Sequence, residues 1–212
     1  MNFDKKNKVG SSKESAFSRI EKIHPFEMML YLGIMGVGVL FLMLVIAYLQ
    51  TRSYDSGFLQ IRLPKYFSIS TILILLSSYT ISKAPRNYKK DSLSKLKKSF
   101  LYTMVLGISF VLVQVASWYE ISQTGISFTG LAAGTYIYLI SALHAVHLLG
   151  GFLFLSFLYF KTQHAASDPI RMLLYIRNPY VRQQIKLLNI YWHFMDAMWV
   201  FLFLVFVFTL KP

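Results

Sequence analysis

The sequence contains no cysteine. Disulfides, thiolate metal sites and thiol nucleophiles are therefore excluded, and the redox compartment is not readable from this residue. Acidic residues are scarce, with 9 Asp and Glu against 22 Lys and Arg. Charged residues make up only 15% of the chain, where soluble domains average about 25%. Proline is absent from the interior of every long apolar run. Pro25, Pro64, Pro85, Pro169 and Pro179 stand at or beyond the run ends, where they punctuate helices rather than kink them. Proline thus gives no sign of broken transporter helices, and no internal repeat is visible.

What the sequence does contain is apolar length. It is 55% hydrophobic and 17% aromatic, with a mean hydropathy of +0.49. Roughly 20 apolar residues cross a hydrocarbon core about 30 Å thick. Five runs qualify, at about residues 28–50, 64–82, 100–119, 130–160 and 187–210. The fourth exceeds what a bilayer needs, which predicts tilt or projection. Backbone in hydrocarbon must satisfy its own hydrogen bonds, so each run is read as a helix. The expected fold is all-α, an integral membrane bundle of five transmembrane helices over residues 25–212. Residues 1–24 form a polar, basic tail without the apolar stretch of a cleavable signal peptide.

The positive charges alternate along the chain. The tail carries six, the first connection three, the second seven, the third none, the fourth five and the C-terminus one. The positive-inside rule then predicts a cytoplasmic N-terminus and a periplasmic C-terminus. The net charge of +13 is accounted for by topology and anionic lipid head groups. No soluble fold is evident to present the charge to nucleic acid.

Ionisable groups within the runs are few, and in hydrocarbon such groups are functional candidates. His144, His147 and Gly151 share a helical stripe at i, i+3 and i+7. Two such histidines suit metal ligation or hydrogen bonds to neighbouring helices. Without an evident third ligand the second reading is preferred, and no metal is expected. Asp196 lies about nine residues, roughly 14 Å, into the fifth run, where insertion costs about 2.5–3.5 kcal/mol. His193 is on the same face, and His147 is at similar depth. The expectation is that one or both hold Asp196 in a structural clamp; a proton relay is the alternative. Glu120 ends the third run, where the helix dipole disfavours a carboxylate. The expectation there is solvation or local capping. Trp192 and Trp199 flank Asp196 at helical spacing and are expected inside the bundle. Gly150, Gly151 and the stretch at residues 130–134 are read as ordinary helix packing.

Two stretches resemble a known family. The nine residues 191–199, Tyr-Trp-His-Phe-Met-Asp-Ala-Met-Trp, are similar to the final-helix motif of subunit III of haem-copper terminal oxidases. The stretch from Ser141 through His144 and His147 to Gly151 resembles that family's His-x-x-His helix followed by glycine. Gln114 through Glu120, and Leu63-Pro64 with Ser70-Thr71 and Ser77-Ser78, resemble earlier helices of the family. The resemblance covers about residues 60–210 and implies the short, five-helix bacterial form. It implies a subunit with no redox centre of its own, packed against catalytic subunit I and other oxidase subunits. It also implies bound phospholipid, haem and copper held by the partner subunits, and a bacterial plasma-membrane location. Family members often carry an acid in the helix matching the first run. None stands between Met28 and Gln50, and Ser117 stands where another acid is common. The resemblance therefore does not carry those carboxylate roles over.

Cytochrome c is the expected donor of the complex; a quinol oxidase or the accessory subunit of nitric oxide reductase is the neighbouring alternative. A small transporter or channel is the alternative of another class. A haem-binding cytochrome lacks the facing histidine pairs it would need.

Overall fold

The computed structural model describes residues 25–54, 65–123 and 132–210. The basic tail and residues 130–131 of the glycine stretch lie outside the described residues. Among the described residues seven helices follow one another: α1 (Pro25–Tyr54), α2 (Lys65–Ser82), α3 (Ala84–Lys89), α4 (Leu93–Gln123), α5 (Ala132–Ala165), α6 (Pro169–Arg177) and α7 (Pro179–Thr209). Five are long and apolar enough to cross a membrane, with α2 and α3 counted as one span. Each of α1, α4, α5 and α7 runs past its apolar segment. At 1.5 Å per residue, the 34 residues of α5 reach about 51 Å, well beyond the hydrocarbon.

The short helices α3 and α6 were not anticipated from hydropathy, because both are too brief to form a spanning apolar run. Their boundaries are nonetheless local chemistry. Pro85 opens α3, where its missing N–H costs nothing. Asp91 adopts a left-handed φ of 54°, which a short polar side chain tolerates, and this turns α3 into α4. Asp168 accepts a hydrogen bond from the Ile170 N–H at 2.9 Å to cap α6. Asn178 does the same for the Tyr180 N–H at 2.9 Å to cap α7. Proline follows each cap, so two cap-proline pairs set the break between α5, α6 and α7.

The last helix is the hub. It packs against α1, α2, α3, α5 and α6. The α2–α4 pair forms the most extensive two-helix contact, while α1 lies at the periphery with few buried residues. The core is aromatic. Trp199 receives the edges of Phe67, at 5.8 Å between centroids, and Phe110, at 5.0 Å. Phe206 stacks on Phe67 and meets the edge of Tyr48. Such ring pairs add about 0.5–1.5 kcal/mol beyond their burial.

At the basic end of the bundle, one hydroxyl fastens two connections together. Tyr88 Oη lies 2.9, 3.0 and 3.0 Å from the carbonyl oxygens of Tyr175, Ile176 and Asn178. These carbonyls lie where α6 ends and α7 begins. Tyr175 O and Asn178 O also accept from the Asn178 and Arg182 N–H groups, and the one phenol proton from α3 is shared among the three. Tyr175 is itself bonded to Thr162 at 2.7 Å. Burial raises the Tyr175 pKa above the usual phenol value, with the Thr162 bond acting in the opposite direction. Tyr88→Phe should increase deuterium uptake around residues 173–182 by the loss of about 1 kcal/mol of local protection. Uptake equal to that of the unaltered protein would show that this tie carries no weight.

Candidate functional site in the bundle core

The motif at residues 191–199 decodes as a set of directed contacts to two neighbouring helices. Trp192 Nε1 donates to Ser77 Oγ on α2 at 3.0 Å, and Trp199 Nε1 donates to Thr71 Oγ1 on the same helix at 3.1 Å. Both indoles are buried. Between them, His193 Nδ1 pairs with Ser78 Oγ at 2.7 Å. Tyr191 points the other way and donates to the His147 carbonyl on α5 at 2.7 Å. The motif therefore fixes α7 between α2 and α5. Neighbouring bonds extend the pattern: Thr80 to Thr103 joins α2 and α4 at 2.7 Å, and Trp118 to Ser141 joins α4 and α5 at 2.9 Å.

Gly151 explains how Tyr191 reaches a main-chain carbonyl. A Cβ at Gly151 would stand 2.6 Å from Tyr191 Cε1 and 3.1 Å from Cδ1. The tyrosine ring occupies the space a side chain would need, and close approach of this kind is what glycine permits in a membrane helix.

The histidines separate rather than converge. His144 is fully buried in a cage of rings from three helices: Phe41 of α1, Phe110 of α4 and Trp199 of α7, at 6.2, 5.8 and 5.1 Å between centroids. Neither ring nitrogen of His144 has a hydrogen-bond partner among the described residues. His147 turns its Nδ1 onto the Leu143 carbonyl of its own helix at 2.8 Å and its ring onto Phe41 at 5.7 Å.

Asp196 differs from expectation. It is buried, and neither carboxylate oxygen accepts a hydrogen bond from His193, from His147 or from another described residue. The histidine nitrogens that do bond turn elsewhere, His193 Nδ1 to Ser78 of α2 and His147 Nδ1 to its own backbone. The Ser78 hydroxyl lies near the carboxylate, and its well-formed bond is the one to His193. The clamp on α7 thus runs through Ser78 of α2. Glu120 also departs from its expected setting. The helix continues to Gln123, so Glu120 sits inside the last turns, half-buried, with Oε2 enclosed and unbonded among the described residues.

Sequence reasoning missed Gln114. It is fully buried on α4, and both atoms of its amide lack a partner among the described residues. Its signal was present as an amide within an apolar run, overlooked because only charges and imidazoles were weighed. The α2 hydroxyls enter the sequence reading only through the resemblance at Ser70-Thr71 and Ser77-Ser78, since single Ser and Thr residues in a membrane helix give no indication of direction. Among the described residues no group of three or more His, Asp or Glu side chains is arranged to hold a metal.

Two outcomes follow for stability in detergent. Gly151→Ala should destabilise the bundle by about 1–3 kcal/mol through overpacking, seen as a lower thermal midpoint, and Tyr191→Ala in the same chain should remove most of that added penalty. A double-mutant cycle of Trp192→Phe and Ser77→Ala should give a coupling of about 0.6–1.7 kcal/mol, the range for hydrogen bonds between membrane helices. Strict additivity would mean the indole bond contributes nothing.

Comparison with known proteins places this geometry. The family model for cytochrome c oxidase subunit III matches residues 59–210. The probable cytochrome c oxidase subunit 3 of Mycobacterium leprae is 26% identical over 138 residues, which cover 65% of this chain and 63% of that protein. Cytochrome c oxidase subunit 3 of Bacillus sp. strain PS3 is 28% identical over 180 residues, covering 83% and 81%. The Bacillus subtilis protein of the same name is 27% identical over 182 residues, covering 83% and 81%. The match therefore spans a little under two thirds of the mycobacterial proteins. Five apolar helices and relatives from bacteria make the chain a multi-pass inner-membrane protein. The matched region takes in α2 to α7, including the Tyr191–Trp199 contacts and the His144–Gly151 stripe, and on that match the chain belongs to the cytochrome c oxidase subunit III family.

Proposed function

We propose that the chain is the non-redox subunit III of a haem-copper respiratory oxidase, stabilising catalytic subunit I within the complex. The single observation behind this reading is the family match over residues 59–210. The use made of the buried polar groups supports it. His193, Trp192, Trp199 and Tyr191 are spent on joining helices, which is the work of a scaffold. Haem and copper belong to the partner subunits in this reading, and cytochrome c is the donor to the complex as a whole. Asp196, with Ser78 and His193, acts as a structural element of the α2–α7 contact. The basic tail and basic connections lie in the cytoplasm and the opposite end in the periplasm, a placement that the charge asymmetry supports. Phospholipid also fits: an apolar cleft of about 380 Å³ between α1, α5 and α7, lined by Phe26, Met29, Gly150 and Phe154, suits an acyl chain.

The test is purification of the tagged chain from aerobically grown cells in mild detergent. Haem-copper subunits should co-purify with the unaltered chain. Asp196→Ala should reduce the amount of assembled complex while leaving oxygen turnover per assembled haem near normal. Recovery of the unaltered chain alone, or full assembly of Asp196→Ala with abolished turnover, would count against the reading.

A further inference from the structure

Helices α1 and α2 both pack on α7 but make little contact with each other. Between them α7 is left as the floor of a groove. The α7 residues pointing into it follow from helical rotation. Trp192 and Trp199 reach toward α2, while Phe194 lies against Gly38 of α1. The stripe between these two directions is Arg182, Lys186, His193, Ala197 and Leu204, at helical repeats. Arg182, Lys186, Ala197 and Leu204 are exposed, and His193 is half-buried.

The groove changes chemistry with depth. At the basic end it opens into a cavity of about 520 Å³ lined by Glu27, Lys89, Arg182 and Lys186. Lys186 is paired with Glu27 at 2.7 Å; Lys89 and Arg182 have no carboxylate partner among the described residues. Seven residues beyond Lys186 comes His193. Its Nδ1 is committed to Ser78, while its Nε2 has no partner among the described residues and is not enclosed. Beyond it the stripe is small and apolar at Ala197 and apolar at Leu204.

An imidazole nitrogen facing hydrocarbon at mid-membrane is costly, and an acyl chain offers it no hydrogen bond. A polar side chain on a neighbouring helix does. We propose that this groove docks a transmembrane helix of another oxidase subunit. That helix carries a carboxylate at the basic end, facing Lys89 and Arg182, and a hydrogen-bonding side chain on His193 Nε2. The spacing of Arg182 from His193 sets the two partner groups about 16 Å apart, or about eleven residues on a helix. Ala197 allows the partner backbone to come close, and apolar side chains cover Leu204. The inference rests on the reading that the chain works inside an oxidase complex, and it adds the face, the depth and the chemistry of the contact.

The cysteine-free sequence makes the test direct. Ala197→Cys is labelled with a benzophenone maleimide in the intact complex, irradiated, and the adducts are identified by mass spectrometry. Leu153→Cys, on the exposed side of α5, is the comparison site. The expected result is an adduct from position 197 to a transmembrane peptide of another oxidase subunit. That peptide has an Asp or Glu about eleven residues from a polar side chain, and position 153 does not reach it. His193→Phe, which keeps the ring volume, should lower the yield of that adduct. A complex that co-purifies normally but gives only lipid adducts at position 197 overturns the docking inference and leaves the subunit reading standing. So does a captured peptide without the acid, or a yield unchanged by His193→Phe. Failure of any oxidase subunit to co-purify with the unaltered chain removes both.

Discussion

In hydrocarbon, two apolar helices gain nothing by leaving lipid for one another, so the way α7 sits among its neighbours depends on directed polar contacts and close fit. The bonds from Trp192, His193 and Trp199 to the hydroxyls of Ser77, Ser78 and Thr71 supply that direction. They are spaced along α2 and α7 so that a slip of one residue would break all three together. Tyr191 fixes the opposite side of α7 by using the His147 carbonyl and the bare backbone at Gly151. The position of α5 follows from that contact, and the position of α4 follows from α2 through Thr80 and Thr103.

This arrangement explains why the buried ionisable residues do little chemistry with one another. His144 lies among Phe41, Phe110 and Trp199, where the rings fill space and offer no strong acceptor. His147 is satisfied by its own helix. Asp196 stands beside the α2–α7 bonds without joining them as a hydrogen-bond acceptor. The bundle's specificity rests on neutral hydroxyl, indole and phenol groups, which are cheaper to bury than charges. At the basic end, outside the apolar segments, fastening passes to Tyr88 and to the capped helix starts at Asp168 and Asn178.

Much of the fold was legible because hydropathy is a one-dimensional property. The five apolar runs became the five long helices, and the prolines marked their ends. The short helices α3 and α6 escaped because helices this brief give no spanning apolar run, although Pro85 and the Asp168-Pro169 pair were visible as boundary signals. The site was legible in its membership but not in its wiring. Trp192, His193, Asp196 and Trp199 stood out, and their helical spacing placed them on related faces. Which of them bonded to what depended on the rotation of α2, and a run of serines and threonines in an apolar helix does not disclose that. Gln114 shows the same limit from the other side, since its burial is decided by how α4 faces the bundle.

The sequence by itself determined that the chain is an all-helical membrane bundle, because length, hydropathy and the exclusion of charge from five runs leave no other stable solution in lipid. It also determined the family, through a nine-residue motif whose side chains are spaced for one helix face. Only the tertiary structure decided that His193 bonds Ser78 while Asp196 goes without a histidine partner. It alone decided that Gly151 exists to admit Tyr191, and that α1 and α2 stand apart over α7. These are relations between helices distant in sequence. They are set by rotation and register in three dimensions, which the order of residues along one strand of chain does not contain in readable form.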